Sequence, residues 1–247
     1  MKKKKIIIVM PAYYAEKTLE RTFKEIPDNF YYQVLLVDDG SRDGTIKIAK
    51  KLKIKTFKHG HNLGYGANQK TCYWEALKED PDVVVMLHPD YQYDASCLPD
   101  LVEPIVKGRY DFMFGSRVYD RGAAIEGGMP KIKYVLNRLT TLIENIILGK
   151  NYSEYMSGLR AYSGKVLKTV PFQRFSNDFV FDQQFMFSAI SYGFRIGEVP
   201  IPTRYFDEAS SIGFIKGGRY LLESFYWLFV YVLNDKRIIK SGLFKRR

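Results

Sequence analysis

Short apolar runs alternate with amphipathic segments along the first 115 residues of the chain. Each run has the length of a buried strand, and apolar residues recur at helical spacing in the segment after it. The predicted strands cover residues 6–10, 34–37, 54–57, 83–87 and 112–114, and the predicted helices cover residues 16–26, 45–52, 66–77 and 98–107. This order predicts an α/β fold with an open, mostly parallel, Rossmann-like sheet and helices on both faces.

The alternation becomes irregular after residue 115. Helices are predicted over residues 131–148 and 182–192, and strands over residues 158–162 and 194–199. The sequence contains no internal repeat and no segment with the composition of a linker. We therefore expect one domain over residues 1–215, followed by a basic amphipathic helix over residues 216–247.

Positive charge is concentrated at the two ends of the chain. The formal net charge of the 247 residues is +11, of which residues 2–5 carry +4 and residues 210–247 carry +6, from eight basic and two acidic residues. Basic ends favour contact with an anionic surface such as a membrane, although they also serve simply to keep a protein soluble. With 46% hydrophobic and 26% charged residues, the composition excludes disorder as the main state.

No segment has the pattern of a targeting or membrane-spanning sequence. The apolar run after residues 2–5 is too short for a signal peptide, and Pro11 follows it. The aromatic-rich run 225–233 is far shorter than the ~20 residues needed to cross a bilayer. A helix there is suited either to lie on a membrane surface or to cover the sheet. Because Cys72 and Cys97 are the only cysteines, we expect a reducing, cytosolic compartment. The basic, aromatic-rich C-terminal helix adds the expectation that the protein is peripheral to the cytoplasmic face of the membrane.

Polar or glycine-rich sequence follows each of the five predicted N-terminal strands. These strand ends lie at residues 11–13, 38–45, 59–66, 88–92 and 115–117. In open α/β sheets, ligands bind at the carboxyl ends of the parallel strands, so these five segments are expected to line one crevice. No G-x-G-x-x-G sequence opens the first helix and no P-loop sequence is present, which argues against NAD dehydrogenases and P-loop NTPases.

Without such a phosphate-binding loop, a bound nucleotide diphosphate needs a metal ion and basic side chains. Asp90 and Gln92 carry the oxygen ligands that Mg²⁺ or Mn²⁺ accepts. Asp38 or Asp39 is placed to accept a hydrogen bond from a base or a ribose, and Tyr13 is placed to stack on the base. His59 and His61 have no Cys or carboxylate at zinc spacing and are interpreted as loop residues.

Five sequence motifs together resemble those of a known family. They are Pro11-Ala12-Tyr13, V-D-D-G-S-R-D-G-T at residues 37–45, H-P-D-Y-Q at residues 88–92, Gly115-Ser116-Arg117 and S-G-L-R-A-Y at residues 157–162. The chain resembles family-2 glycosyltransferases of the GT-A fold, and within them the dolichol-phosphate mannose synthase type. The resemblance covers residues 5 to 215, and the V-D-D-G-S stretch is its most specific part.

The resemblance implies roles for matching positions. It assigns the donor nucleotide to Pro11, Ala12, Tyr13, Asp38, Asp39 and Gly64. It assigns the metal to Asp90 and Gln92, with His88 at the first position of the motif. The expected ligands for phosphates of the donor or acceptor are Arg117, Ser157, Arg160 and Arg204, and the alternative for Arg160 is an ion pair with Glu154. Arg204, in the loop after Pro202, matches an Arg in a loop that closes over the site, and the C-terminal helix matches one that rests on the membrane.

The chain departs from the family pattern at a few positions. His88 stands where an Asp is usual, and imidazole is a poor ligand for Mg²⁺ but a better one for Mn²⁺. Tyr14 and Ala15 stand where Asn and Glu are usual, and Glu154 and Gln184 replace a common Asp and Glu. These differences concern the choice of metal and the donor sugar.

The expected reaction is the inverting transfer of a sugar from GDP-mannose or a UDP-hexose to a polyprenyl phosphate. The metal and Arg117 would stabilise the leaving diphosphate. A phosphate acceptor is already ionised, whereas a hydroxyl acceptor needs a general base, for which Asp182 and Asp178 are candidates. Both carboxylates also suit the start of a helix.

Two other classes of protein remain as alternatives. A nucleotidyltransferase would need a glycine-rich, basic loop after the first strand, and Pro11-Ala12-Tyr13 lacks one. A non-catalytic module that binds anionic lipid or nucleic acid would leave the carboxylates at the strand ends unexplained. We therefore expect an enzyme with no nucleic-acid partner.

Overall fold

A seven-stranded sheet forms the centre of the computed structural model, which describes residues 4–28, 30–31, 33–204 and 213–246. The strands are β1 (Ile6–Ala12), β2 (Gln33–Asp38), β3 (Lys55–Lys58), β4 (Val83–Met86), β5 (Phe112–Ser116), β6 (Arg160–Ser163) and β7 (Ile196–Pro200). Their order across the sheet is β3-β2-β1-β4-β6-β5-β7. Every strand predicted from the sequence is present, and each of its ends lies within two residues of the predicted one.

Nine α-helices connect or cover these strands in the described part of the chain. They are α1 (Leu19–Lys24), α2 (Thr45–Lys51), α3 (Tyr65–Leu77), α4 (Leu98–Val106), α5 (Arg121–Glu126), α6 (Lys131–Leu148), α7 (Gly164–Thr169), α8 (Phe181–Ser191) and α9 (Phe214–Asp235). The sequence pattern predicted α6 to the residue and missed the short helices α5 and α7. Gly44 is the N-cap of α2, and Asp43, one residue before it, accepts a hydrogen bond on Oδ1 from the backbone N–H of Thr45, the first residue of the helix, at 3.1 Å.

The sheet is mostly parallel, as predicted, with one antiparallel strand. β1 runs parallel to β2 and β4, whereas β6 runs antiparallel to both β4 and β5. The chain leaves the sheet after β5 and returns in β6 only after an excursion over residues 117–159 that contains α5 and α6. This excursion, and not a single crossover helix, accounts for the irregular pattern after residue 115.

Hydrophobic cores fill both faces of the sheet. All seven residues of β1 are buried, as expected for a strand covered on both sides. Alternate side chains of β1 enter different cores: Ile7 and Val9 pack in the core that includes α3, α8 and α9, while Ile8 and Met10 pack in the core that includes α1 and α4. Each fully buried side chain of this size stabilises the fold by ~1.5–3 kcal/mol.

The C-terminal helix α9 has one buried and one exposed face. Leu228 and Tyr231 are buried in the core beside α8, and Leu243 in the segment after the helix is buried with them. On the opposite face Leu222 is 74% exposed and Phe229 is 60% exposed. The helix therefore covers the sheet and still presents an apolar surface. No helix in the described ranges is long and apolar enough to span a membrane.

Candidate active site

Two adjoining cavities open at the carboxyl ends of β1, β2 and β4. The first, here called the strand-end cavity, has a volume of about 630 Å³ and is bordered by Pro11, Tyr13, Asp39, Gly64 and Asn68. The second, the helix-lined cavity, has a volume of about 500 Å³ and is bordered by Arg117, Lys133, Leu136, Tyr220 and Leu221. Four residues border both: Tyr65, His88, Asp90 and Phe179. The two cavities are therefore halves of one crevice, as the strand ends predicted.

Asp39 is the fixed carboxylate of the strand-end cavity. It is 2% exposed, and its Oδ1 accepts hydrogen bonds from the backbone N–H of Leu63 at 2.9 Å and from Nδ1 of His59 at 2.7 Å. Its Oδ2 accepts a hydrogen bond from the N–H of Gly64 at 3.0 Å. Gly64 is required here, because its φ is +104° and a Cβ would lie 2.5 Å from the carbonyl oxygen of Asn177.

His59 contributes to the site, although the sequence pattern placed it among ordinary loop residues. Its Nε2 lies 3.0 Å from Oγ1 of Thr71, and its Nδ1 bonds Asp39, so the ring links the Asp39 carboxylate after β2 to α3. His59 and Asp39 are distant in the sequence, and only the parallel pairing of β2 with β3 brings them together. No local signal in the sequence indicates this contact.

Asp38 and Ala12 lie behind the wall of the strand-end cavity. Asp38 is fully buried, and its Oδ2 accepts a hydrogen bond from the N–H of Ser41 at 3.0 Å. The carbonyl of Ala12 accepts bonds from the N–H of Asp39 at 2.8 Å and from Nδ2 of Asn68 at 3.3 Å. Of the two neighbouring carboxylates considered for the base or ribose, the structure therefore brings Asp39 to the cavity, and Asp38 shapes the loop beneath it.

Tyr13, Tyr14 and Ala15 form one edge of the strand-end cavity. Tyr13 is 50% exposed and stands edge-to-face against Tyr14, with ring centroids 4.5 Å apart. Tyr14 has a φ of +52°, which is uncommon for a residue with a side chain, and its N–H donates to Oγ of Ser41 at 2.8 Å. The departures from the family pattern at residues 14 and 15 thus lie directly at the cavity.

Asp90 stands where the two cavities meet. Its Oδ1 accepts a hydrogen bond from the N–H of Gln92 at 3.1 Å, and Gln92, which is 6% exposed, borders the helix-lined cavity. The described residues include no cluster of three or more His, Cys, Asp or Glu side chains suited to a metal. One carboxylate and one amide still fit Mg²⁺ or Mn²⁺ that keeps its waters and takes its other ligands from a bound diphosphate.

The imidazole of His88 faces the hydroxyl of Tyr65. The Tyr65 hydroxyl donates to Oδ2 of Asp182 at 2.6 Å and lies 3.2 Å from Nε2 of His88. Since the single phenolic proton goes to Asp182, His88 carries its proton on Nε2 and donates it to the Tyr65 oxygen. Burial lowers the pKa of the His88 imidazole, so the ring is neutral at pH 7 and only Nδ1 keeps a lone pair for a metal.

Asp182 and Asp178, the two candidate bases, lie in different cavities. Asp182, in the first turn of α8, borders the helix-lined cavity, and its Oδ1 accepts a hydrogen bond from Nε2 of Gln69 at 3.2 Å. Asp178 borders the strand-end cavity, and its Oδ1 accepts a hydrogen bond from the N–H of Phe179 at 2.8 Å. Only Asp182 is therefore in a position to meet a group held beside Arg117.

Arg117 is the expected cation of the helix-lined cavity, and Glu154 holds it there. Its Nε donates to Oε1 of Glu154 at 2.9 Å, its backbone N–H donates to Oε2 at 2.9 Å, and Nη2 also contacts Oε1. Asn137 of α6 donates to the same oxygen at 2.9 Å. The alternative ion pair of Arg160 with Glu154 is therefore not formed, because Arg117 occupies that carboxylate.

Arg160 and Ser157 do not reach either cavity. Both are fully buried. The Arg160 guanidinium donates to the carbonyls of Ser157 at 2.7 Å, Asp182 at 2.8 Å and Tyr155 at 3.0 Å. The two residues expected to contact a phosphate therefore lie outside the cavities, and the Arg160 guanidinium holds the backbone beneath Asp182.

Arg204 also lies outside the two cavities. Its Nη1 donates to Oε2 of Glu25 at 2.9 Å, its Nη2 donates to Oδ2 of Asp94 at 3.2 Å, and its guanidinium carbon lies 4.4 Å from the centre of the Tyr91 ring. The contact of Arg204 with a phosphate stays a prediction, and in the described structure the side chain borders neither cavity. Residues 205–212, the rest of the loop expected to close over the site, lie outside the described residues.

Lys133 is a second cation of the helix-lined cavity that the motifs did not indicate. It lies in the first turn of α6, beside Ile132 and one turn before Leu136. Burial lowers the pKa of its ammonium group, and the neighbouring Arg117 lowers it further. The cavity therefore combines two cationic side chains with apolar walls from α6 and α9, which suits an anionic head carried on an apolar chain.

Comparison with known proteins agrees with the motifs. The model of the family described as Glycosyl transferase family 2 matches residues 7–170. An uncharacterised protein, MJ1222, of Methanocaldococcus jannaschii is 30% identical over 85% of this chain and 86% of its own length. The UDP-N-acetylglucosamine--dolichyl-phosphate N-acetylglucosaminyltransferase of Methanococcus voltae is 27% identical over 86% of this chain and 91% of its own.

The fold is that of solved glycosyltransferases. Glucosyl-3-phosphoglycerate synthase from Mycobacterium tuberculosis superimposes with a TM-score of 0.73 and 18% identity, over 93% of this chain and 80% of that one. The expected GT-A type of α/β fold and the expected resemblance to enzymes that glycosylate dolichyl phosphate are both confirmed. The two alternatives from other classes are set aside, because the protein is an enzyme that belongs to glycosyl transferase family 2.

Proposed function

We propose that the protein transfers a sugar, with inversion, from a nucleotide-diphosphate sugar to a polyprenyl phosphate, using Mg²⁺ or Mn²⁺. The observation that carries this proposal is the meeting of the two cavities at Asp90. One cavity offers a fixed carboxylate and tyrosine rings, as a nucleotide requires. The other offers Arg117 and Lys133 between apolar helices, as a lipid phosphate requires.

The donor nucleotide is proposed to lie in the strand-end cavity. The Asp39 carboxylate is held by three hydrogen bonds and is suited to accept one more from an N–H of the base. Tyr13 provides an exposed ring for stacking. The name of the Methanococcus voltae relative and the UDP bound in solved neighbours support a UDP-hexose, while GDP-mannose remains the other donor of the proposal.

Asp90 and Gln92 are proposed to hold the divalent cation against the diphosphate. The cation would neutralise the charge that develops on the leaving diphosphate. Arg117 adds a fixed positive charge next to the same point, and Glu154 prevents it from swinging away. Solved neighbours with Mn²⁺ or Mg²⁺ and UDP support the use of such an ion.

The acceptor phosphate is proposed to enter the helix-lined cavity and to meet Arg117 and Lys133. A phosphate oxygen is already ionised at neutral pH, so no side chain needs to remove a proton before attack. Apolar residues of α6 and α9 border the same cavity, which leaves a path for the isoprenoid chain. The dolichyl phosphate in the name of the Methanococcus voltae relative supports this acceptor.

We extend the proposal to the peripheral contact with the cytoplasmic face of the membrane. Exposed apolar side chains form a face along α6 and a second along α9: Ile132, Val135, Leu139, Leu142 and Ile146 on α6, and Leu222, Tyr226 and Phe229 on α9. Both helices also border the helix-lined cavity, so the apolar faces continue to its mouth. Basic residues after α9, among them Lys236 and Lys240, suit anionic headgroups.

A second candidate is transfer to a hydroxyl group of a glycan or lipid, with Asp182 as the base. This candidate is favoured by one observation, the position of Asp182 in the same cavity as Arg117. Against it, both carboxylate oxygens of Asp182 already accept hydrogen bonds, from Tyr65 and Gln69. We therefore keep the phosphate acceptor as the main proposal.

The test is transfer from radiolabelled GDP-mannose, UDP-glucose and UDP-GlcNAc to polyprenyl phosphate, with Mg²⁺ or Mn²⁺. We expect transfer from one donor, and about a hundredfold loss or more in Asp90→Ala. A parallel assay with polyprenol, which ends in a hydroxyl group, separates the two acceptors: transfer to the phosphate alone supports the main proposal, whereas transfer to polyprenol that falls about a hundredfold or more in Asp182→Asn supports the hydroxyl acceptor with Asp182 as the base. No transfer from any donor, with the nucleotide still bound, contradicts the polyprenyl phosphate proposal.

A further inference from the structure

Tyr91 separates the two side chains assigned to the cation and has an unusual backbone conformation. Its φ is +60°, a region that a large aromatic residue seldom adopts. The hydrogen bond from the N–H of Gln92 to Oδ1 of Asp90 closes a tight turn around it. Asp90 and Gln92 border the helix-lined cavity, while the Tyr91 ring lies away from it. The positive φ thus lets both neighbours face the same side.

Two guanidinium groups lie over the Tyr91 ring. The central carbon of Arg21, on α1, is 4.1 Å from the ring centre, and that of Arg204 is 4.4 Å from it. Cations at this distance are attracted by the face of an aromatic ring. The ring therefore joins the loop after β4 to α1 and to the segment after β7.

Arg204 is itself held from three directions. Its side chain bonds Glu25 and Asp94, and its backbone N–H donates to the carbonyl of Gln92 at 2.9 Å. Tyr93, which follows Gln92, and Thr203, which precedes Arg204, form an antiparallel bridge. Arg204 therefore acts on the loop that carries Asp90 and Gln92 from behind it.

A strained backbone persists only where its surroundings impose it, and such residues are found at functional sites. Here the surroundings are the two arginines. If Tyr91 relaxed to a negative φ, the directions of Asp90 and Gln92 would diverge and at least one would leave the cavity. We propose that Tyr91, held by Arg21 and Arg204, is a positioning residue that keeps Asp90 and Gln92 directed together at the cation. This inference rests on the proposed function, in which these two residues hold that ion.

The test measures Mn²⁺ affinity by the loss of the electron paramagnetic resonance signal of free Mn²⁺, in the presence of UDP or GDP. Tyr91→Gly removes the ring and frees the backbone, and we expect about tenfold weaker Mn²⁺ binding. Tyr91→Phe keeps the ring and is expected to restore most of the affinity. Nucleotide binding in EDTA, followed by calorimetry, is expected to stay the same in both variants, because Asp39 and Tyr13 are untouched.

Lys53→Gly is the matched control. Lys53 also has a positive φ, +57°, and it is exposed at the end of α2, away from both cavities. It is expected to leave Mn²⁺ affinity unchanged. Arg204→Met provides a second variant if Tyr91→Gly folds poorly. It is expected to weaken Mn²⁺ binding and to leave the KM for the acceptor unchanged.

Three results would overturn the inference. The first is a Tyr91→Gly variant that binds Mn²⁺ with wild-type affinity. The second is a Lys53→Gly variant that loses as much Mn²⁺ affinity as Tyr91→Gly does. The third is an Arg204→Met variant that raises only the KM for the acceptor, since this would make Arg204 a ligand of the acceptor phosphate. Wild-type protein that binds no Mn²⁺ with either nucleotide would overturn the proposed function as well, so the two failures are distinguishable.

Discussion

The hydroxyl of Tyr65 donates a hydrogen bond of 2.6 Å to Oδ2 of Asp182, and this bond joins the first residue of α3 to the first turn of α8. Burial, followed by the neighbouring Asp182 charge, raises the pKa of Tyr65 well above its usual range, so the hydroxyl stays protonated. Because Tyr65 borders both cavities, this bond fixes the side chain at the boundary between the two proposed substrates.

Tyr65→Phe is expected to lower the rate of transfer. The variant keeps the aromatic contact with Phe179, where the ring centroids are 4.8 Å apart, but removes the hydrogen bond to Asp182. We expect kcat to fall about tenfold, with a smaller change in the KM for the donor, since the nucleotide contacts remain. Steady-state kinetics of sugar transfer measure both constants.

Tyr155→Phe is the control for this substitution. Its hydroxyl bonds Oδ1 of Asn145 at 2.9 Å, and Tyr155 borders neither cavity in the described structure. Loss of a buried tyrosine hydroxyl there is expected to lower the melting temperature but not kcat. An equal fall of kcat in both variants would mean that general loosening of the core, and not the Tyr65–Asp182 bond, is responsible.

Glu154→Ala is expected to destabilise the protein by ~3–5 kcal/mol. Glu154 is fully buried, and its removal leaves the 8%-exposed Arg117 without its carboxylate partner. Glu154→Asp, which restores the residue common in the family, is expected to recover part of the loss. Urea unfolding followed by circular dichroism measures the free energy. A loss below ~1 kcal/mol would show that Arg117 finds another partner.

The buried pair of Glu144 and Gln183 predicts a pH-dependent stability. Nε2 of Gln183 donates to Oε1 of Glu144 at 2.8 Å, while Oε2 of Glu144 and Oε1 of Gln183 have no partner among the described residues. Burial raises the pKa of Glu144 well above its ordinary value of 4.5. A protonated Glu144 would donate from Oε2 to Oε1 of Gln183, so that both atoms are satisfied.

A carboxyl whose pKa is raised by folding contributes stability that is complete below its unfolded pKa and is lost as pH rises through its folded pKa. The loss is ~1.4 kcal/mol per pH unit between the two values. Glu144→Gln has no proton to lose, so its stability relative to wild type is expected to rise from pH 5 to pH 8. Thermal unfolding at the two pH values tests this expectation.

Glu103→Gln is the control for the pH series. Glu103 of α4 is exposed and pairs with Lys107, the residue that follows the helix, and this pairing lowers the pKa of Glu103. Its substitution is expected to produce no gain in relative stability between pH 5 and pH 8. If Glu144→Gln shows no gain either, Glu144 is ionised in the folded protein and has a compensating partner.

The exposed apolar face of α9 is tested by a double variant that carries both Leu222→Glu and Phe229→Glu. We expect this variant to bind anionic liposomes about tenfold more weakly, because each side chain loses its apolar contact with lipid. Deletion of residues 216–247 is a poor test, since it would also remove Leu228 and Tyr231 from the core. Val106→Glu, at an exposed apolar position on α4, is the control. Sedimentation with liposomes measures the bound fraction, and equal binding of both variants would exclude α9 from the membrane contact.

The succession of strands and helices along the chain, and the crevice at the strand ends, could be predicted from the sequence because both depend on local patterns. A buried strand appears in the sequence as an apolar run, and the residues that bind ligands follow it at its carboxyl end. The directions of long side chains could not be predicted. Arg160 and Arg204 match family motifs, yet the fold turns both guanidinium groups away from the cavities. The contact between His59 and Asp39 depends on the pairing of two strands and leaves no pattern within either segment.

The two halves of the crevice come from different parts of the chain, because the excursion between β5 and β6 contributes to only one of them. Residues 117–159 supply Arg117, Lys133, Leu136 and Met156 to the helix-lined cavity, and none of the described residues that border the strand-end cavity comes from this segment. Under the proposed function, substitutions of Lys133, Leu136 or Met156 would alter the acceptor while the nucleotide half stays intact. Exchange of this segment between relatives, with Arg117 kept, would then give chimaeras with a new acceptor and an unchanged donor.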